Sequence, residues 1–101
     1  MGHGQSPTSS EVRRVVWADE AVANLESIAA YINDFSPLAA QRLALRLKSA
    51  ADSLADQAER GRTAGRRARE LTVIYPYIIR YMIDDTTVRI LRIRHGARRP
   101  S

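Results

Sequence analysis

The spacing of apolar positions divides the chain into segments of different secondary structure. Residues 12–17 form a short segment that contains β-branched and aromatic residues. A polar break follows it, and together these features predict a first strand. From Asp19 the apolar residues recur at helical spacing, and the acidic pair Asp19 and Glu20 suits the positive end of a helix. The predicted apolar face of this helix consists of Val22, Leu25, Ile28, Ala29, Ile32 and Phe35.

A second helix is predicted from about Pro37 to Gln57. Proline disfavours helical geometry in the residue before it but fits the first turn of a new helix, and Ser36 is available as the N-cap. The inward positions predicted for this helix are Ala40, Leu43, Leu47, Ala50, Leu54 and Ala58. Because the link is so short, the two helices are expected to form an antiparallel hairpin.

The rest of the chain has the pattern of a sheet. Residues 59–68 contain two glycines and four arginines without apolar periodicity, which predicts a loop. Three runs with strand character follow at 69–75, 77–83 and 88–94, and residues 84–87 form a polar turn. The order β-α-α-β-β-β predicts an α+β fold with the helical hairpin packed on one face of a mainly antiparallel four-stranded sheet.

Length and charge refine this picture. The 101 residues allow one domain, expected at 12–101 after a flexible leader at 1–11. The net charge is +5, and residues 59–101 carry eleven of the sixteen cations but four of the eleven anions. This basic half favours an acidic partner, either nucleic acid, an acidic protein segment or a membrane surface. The alternative is a solvated arginine-rich surface.

Several classes of chemistry lack the residues they require. The sequence has no cysteine, which excludes disulfides and thiolate sites and fits a reducing cytoplasm. No P-loop, GxGxxG, HExxH or paired histidine spacing occurs, so we expect no cofactor and no metal site. No apolar run is long enough to span a bilayer, and the first ten residues do not resemble a secretory signal.

The arginines within the predicted strands are the candidates for binding. Strict alternation places Arg80 with Ile78 and Met82, and Arg92 and Arg94 with Val88 and Ile90. An unpaired arginine is costly in an apolar core, so Arg80, Arg92 and Arg94 are expected on the face that the helices leave uncovered. With Arg69, and with Tyr75 and Tyr77 nearby, they predict a basic groove for single-stranded RNA or an acidic peptide. In the alternative interpretation they pair with Glu70, Asp84 and Asp85.

His95 is the one candidate for acid and base catalysis within the predicted domain. A metal-independent ribonuclease needs a proton acceptor for the 2′-hydroxyl, cations for the phosphate and an acid for the leaving oxygen. His95 with Arg69, Arg80 and Arg94 supplies part of that set, and no second acid or base is evident. The alternative is that His95 is a structural hydrogen-bond donor.

Taken together, residues 15–100 resemble toxins of the ParE/RelE superfamily of type II toxin–antitoxin systems, and the ParE branch most closely. The resemblance rests on the opening of the first helix, on the Ser36-Pro37 junction, on Arg69-Glu70-Leu71, and above all on the ending Arg94-His95-Gly96-Ala97-Arg98. It implies a RelE/ParE-like fold and a cytoplasmic toxin that does not bind a membrane. It also implies a hetero-oligomeric complex with a cognate antitoxin whose C-terminal segment is acidic.

The resemblance also implies a target. ParE-like proteins inhibit DNA gyrase, whereas RelE-like proteins cut mRNA on the ribosome. Gly96 follows His95 and the tail contains no tyrosine, which departs from the ribonuclease pattern, so no catalytic role is carried over to His95. Gyrase inhibition without catalysis is therefore expected, and a metal-independent endoribonuclease is the alternative. The residues predicted to bind the antitoxin or the target are Arg69, Tyr75, Tyr77, Arg80, Arg92, Arg94 and Arg98.

Overall fold

A computed structural model describes residues 12–96, which form two helices and one five-stranded sheet. The elements are β1 (Arg14–Trp17), α1 (Asp19–Asn33), α2 (Pro37–Asp52), β2 (Arg62–Thr63), β3 (Ala68–Ile74), β4 (Tyr77–Ile83) and β5 (Thr87–His95). The strand order is β1-β5-β4-β3-β2; β1 runs parallel to β5, and the other neighbours are antiparallel. The predicted leader and Arg98 lie outside the described residues.

The α+β architecture is confirmed, but the predicted number of strands is wrong. The additional strand, β2, lies inside the segment predicted to be a loop and pairs Arg62 with Glu70 and Thr63 with Arg69. A two-residue strand is too short to show a period of two, so no pattern in the sequence reveals it. Its formation extends the sheet beyond β3 and brings Arg62 beside Glu70.

The helical hairpin begins and turns where the sequence predicts. Ser36 accepts a hydrogen bond from the amide of Ala39 at 3.1 Å, which confirms it as the N-cap of α2. The α-helical part of α2 ends at Asp52, earlier than the predicted Gln57, and continues as two short 3-10 turns at Ser53–Ala55 and Ala58–Arg60. These turns lead the chain back toward the sheet.

The core lies between the hairpin and one face of the sheet. Small and branched side chains from the helices pack there against the central strands, and alanines let the helices approach closely. The fully buried members from the helical half are Ala21, Leu47, Ala51 and Leu54, and those from the sheet include Ile79, Tyr81, Val88 and Ile90.

A β-bulge in β5 corrects the predicted alternation. Arg80 pairs with Arg92 but the next residue, Tyr81, pairs with Ile90, so Leu91 is an extra residue in β5. Beyond the bulge the faces are exchanged: Ile93 is buried in the core like Ile90, and Arg92 points away from it. The prediction that Arg92 and Arg94 share a face with Val88 and Ile90 is therefore wrong.

Candidate functional site

The sheet face opposite the helices, here called the open face, collects the arginines of the central strands. The five strands contain seven arginines and a single acidic residue, Glu70. Because cross-strand partners project to the same side of a sheet, the register places the side chains of these residues together. The open-face residues of interest are Arg62, Glu70, Ile78, Arg80, Arg92 and Arg94.

Glu70 is the centre of this arrangement. Its carboxylate lies 2.9 Å from Arg80 Nη1, 3.4 Å from Arg94 Nη2 and 3.5 Å from Arg62 Nη2. The side chain of Glu70 is 5% exposed, whereas those of Arg80 and Arg94 are 29% and 41% exposed. Three cations thus enclose one carboxylate, and the cluster keeps a surplus of two positive charges.

The surrounding chain fixes the orientation of Arg80. Its Nη2 donates to the carbonyl of Ala64 at 3.2 Å, in the segment between β2 and β3, while Nη1 donates to Glu70. The guanidinium is therefore held at both terminal nitrogens. By contrast, Arg89 and Arg92 are exposed and form no ion pair with any residue of 12–96.

The predicted groove is not assembled on one face. Arg69 shares the helix-covered face with its partner Tyr81, because neighbours along a strand point to opposite sides and Glu70 faces the other way. Its guanidinium donates to the carbonyls of Gly61 at 2.7 Å and Glu59 at 3.3 Å. Placing Arg69 beside Arg80 and Arg94 in one groove is thus a wrong prediction.

The two predicted tyrosines lie at one end of the sheet. Tyr75 is 85% exposed in the turn between β3 and β4, whereas Tyr77 is half-buried and packs against the core. Beside them is a small cleft of about 180 Å³, bordered by Pro76, Ile78 and Gly96. Tyr75 therefore lies at the end of the sheet and Tyr77 faces its helix-covered side, and neither interleaves with the open-face arginines.

His95 lies on the helix-covered side of the sheet. Its ring meets that of Tyr77 edge-on, with centroids 5.4 Å apart, and Nδ1 is buried without a hydrogen-bond partner among the described residues. Arg80 and Arg94 project to the opposite face. The four residues considered for ribonuclease chemistry are therefore divided between two faces of the sheet.

The sequence did not indicate two members of the site. Arg62 joins the cluster through β2, which no periodicity predicts, and Tyr81 supports the same segment from the core side. The Tyr81 hydroxyl accepts from the amide of Gly61 and donates to the carbonyl of Ala58. Burial of the hydroxyl raises the pKa of Tyr81, and the Gly61 hydrogen bond opposes that rise in part.

Residues 12–96 hold neither a metal site nor a membrane-spanning helix. Within this range, no three side chains of the types that bind metal ions come together. Neither helix of this range has the length and apolar character needed to cross a membrane.

The fold and the sequence define a toxin of a type II toxin–antitoxin system. Residues 15–100 match the family described as the ParE toxin of the type II toxin–antitoxin system parDE. A solved structure of the chromosomal ParDE system from P. aeruginosa has the same fold, with a TM-score of 0.75 and 22% identity over 85% of this chain and 98% of that one.

Curated relatives agree with this assignment. Toxin RelE2 of Caulobacter vibrioides is 60% identical over 85 residues, which cover 84% of this chain and 97% of the relative. Toxin RelE1 of the same organism is 40% identical over 63 residues, which cover 59% of this chain and 68% of the relative. The chain belongs to the ParE toxin family, within the ParE/RelE superfamily, which confirms the resemblance.

Proposed function

We propose that the chain arrests growth by binding and inhibiting DNA gyrase, without catalysing a reaction, and that a cognate antitoxin neutralises it in the cytoplasm. The observation that carries this proposal is the separation of His95 from the open-face arginines. A metal-independent ribonuclease needs its acid or base and its cations on the same phosphate. Here the open face offers cations without a group that exchanges protons near neutral pH.

The exposed arginines suit a protein partner. The exposed guanidinium groups of Arg89 and Arg92 make no ion pair with any residue of 12–96, and a planar guanidinium binds a carboxylate through two parallel hydrogen bonds. Such contacts favour an acidic surface of the target or of the antitoxin. They require no chemistry beyond binding.

The helical hairpin offers a second surface for the antitoxin. Leu38 and Leu45 on α2 are 55% and 61% exposed, and Arg42 lies between them at helical spacing. A stripe of two leucines and an arginine is complementary to an amphipathic acidic segment, which binds apolar anchors and pairs its carboxylates with the cation. This supports a hetero-oligomeric complex with an antitoxin whose C-terminal segment is acidic.

The test is gyrase-catalysed supercoiling with the purified chain added in excess. We expect inhibition that disappears when the antitoxin is added. Arg92→Gln should weaken inhibition, whereas Arg66→Gln, which removes an exposed loop arginine, serves as the matched control. Full gyrase activity at excess toxin would exclude the proposal.

The names of the two Caulobacter relatives favour a second candidate, a ribosome-dependent mRNA endonuclease of the RelE type. In that case primer extension on translated messages should reveal cuts that His95→Ala and Arg80→Ala abolish. Messages that stay intact during growth arrest would exclude it.

A further inference from the structure

Gyrase inhibition leaves the position of Glu70 unexplained. Among the described residues, Glu70 is the one charged residue that is less than a tenth exposed to solvent. It is also the one acid in a sheet that contains seven arginines. A buried carboxylate is costly unless it is paired and hydrogen-bonded, and replacing a buried ion pair by apolar residues is often neutral or stabilising. Stability alone therefore does not account for a glutamate at this place.

We infer that Glu70 determines what the open face can bind: its carboxylate occupies the guanidinium groups of Arg80 and Arg94 and prevents them from binding nucleic-acid phosphate. A carboxylate and a phosphate present similar pairs of oxygens to a guanidinium. Glu70 already lies 2.9 Å from Arg80 and 3.4 Å from Arg94. A phosphate must therefore compete with this carboxylate for the two guanidinium groups.

The sheet gives Glu70 a lasting advantage over a free anion. Cross-strand pairing sets Glu70 directly opposite Arg80 on one side and Arg62 on the other, so the carboxylate cannot diffuse away. An attached group competes at a high effective concentration, on the order of millimolar or above. Nucleic-acid phosphates in solution compete poorly against it.

Without the carboxylate the same face has the composition of a phosphate-binding surface. Arg62 lies on β2, Arg80 on β4, and Arg92 and Arg94 on β5, and the side chains of Arg62, Arg80 and Arg94 are 29% to 72% exposed. Clustered arginines on one face are the usual footprint of nucleic-acid binding. The charge of Glu70 therefore decides whether the open face binds only proteins or also binds RNA of any sequence. This inference is independent of gyrase, and a negative gyrase assay leaves it in place.

The experiment measures the binding of a fluorescent single-stranded RNA, without ribosomes, to the purified chain and to Glu70→Gln. Glutamine keeps the shape of the side chain but not the charge. We expect the variant to bind about tenfold more tightly, since each charge-assisted hydrogen bond to a freed guanidinium is strong enough for that factor. The slope of log K against log salt should become steeper by about 1.4, because two freed arginines each add about 0.7 for single strands.

Glu26→Gln is the matched control. Glu26 is exposed on α1 and makes no ion pair within residues 12–96, and its substitution changes the net charge equally. Screening limits the effect of so distant a charge, so we expect a change below about twofold. Equal affinities of the two variants would overturn the inference, as would wild-type binding as tight as that of Glu70→Gln.

Two further measurements protect the test against misfolding of the variant. Glu70→Thr introduces a residue that favours strands and should produce the same gain, with circular dichroism as the check of folding. In the wild-type chain, titration with inorganic pyrophosphate should shift the side-chain NMR signals of Arg89 and Arg92 before those of Arg80 and Arg94. The opposite order would show that the carboxylate does not protect these two arginines, and would overturn the inference.

Discussion

The hydroxyl of Tyr81 accepts a hydrogen bond from the backbone amide of Gly61 at 2.8 Å. A Cβ atom at position 61 would lie 2.6 Å from that hydroxyl and 2.7 Å from the carbonyl oxygen of Glu70, so the close approach requires glycine. Arg62 follows directly and pairs with Glu70. The contact between Tyr81 and Gly61 therefore connects the core side of the sheet to the arginine cluster on its open face.

Tyr81→Phe should lower the free energy of unfolding by about 1–3 kcal/mol, because it leaves the amide of Gly61 and the carbonyl of Ala58 buried without their partner. Urea denaturation measures the change. Tyr31→Phe is the control: Tyr31 is 58% exposed, so its loss of a hydroxyl should stay within about 0.5 kcal/mol. Equal effects of the two substitutions would contradict the role assigned to Tyr81.

A comparison of the wild-type chain with Tyr81→Phe also tests the raised pKa of Tyr81. Below the ordinary tyrosine pKa of about 10, both the folded and unfolded states hold the proton, and this group contributes no pH dependence. Above it the unfolded state releases the proton while the folded state retains it, so the free energy of unfolding falls as pH rises toward the raised pKa.

Tyr81→Phe lacks this titration. The stability difference between wild type and variant should therefore be constant below about pH 9.5 and shrink above it. Urea denaturation across that range measures the difference, and the other titrating groups, which the two chains share, cancel. A difference that stays constant up to about pH 11 would show that burial does not raise this pKa.

The predictable parts of the fold are those in which a periodic pattern of apolar residues extends over many positions. Both helices extend over four turns or more, and the Ser36-Pro37 junction carries its own capping chemistry, so the hairpin is evident from the sequence. The strand β2 spans two residues and has no period. The bulge at Leu91 is hidden because Ile90, Leu91 and Ile93 are all apolar, and either alternation is consistent with a buried strand.

The candidate site was predictable in composition but not in arrangement. Arg80, Arg92 and Arg94 are on the open face, as expected, although Arg92 and Arg94 reach it through the bulge. Alternation along β3 separates Arg69 from Glu70, but which of the two joins Arg80 depends on the register between strands. That register follows from the turn and the tertiary packing.

Asn24→Ala should destabilise the chain by about 1–3 kcal/mol. The strand β1 pairs with β5 only as far as Ile90, and beyond that point the amide of Ile93 donates to Asn24 Oδ1 at 2.9 Å. Removal of the side chain leaves this amide without its acceptor. Thermal or urea denaturation measures the loss, and Ser27→Ala, at an exposed position of the same helix, is the control.

Asn24→Asp keeps an oxygen where the amide of Ile93 needs one. We expect this variant to retain most of the stability that Asn24→Ala loses. If aspartate and alanine at position 24 destabilise the chain equally, the hydrogen bond is not the source of the effect.

The last prediction concerns His95 and distinguishes binding from catalysis. His95→Gln removes the imidazole but keeps a polar group beside Tyr77. Because His95 lies on the opposite face from Arg80 and Arg94, we expect full growth arrest when the variant is expressed without its antitoxin. Growth curves measure the arrest, and immunoblots verify that the variant accumulates.

Arg92→Gln supplies the comparison for His95→Gln. It removes an exposed guanidinium from the open face and leaves the Glu70 cluster intact, so it should weaken growth arrest while His95→Gln does not. If His95→Gln accumulates as a folded protein and no longer arrests growth, then His95 takes part in the toxic activity. A binding mechanism confined to the open face would then be wrong, since that face does not contain this residue.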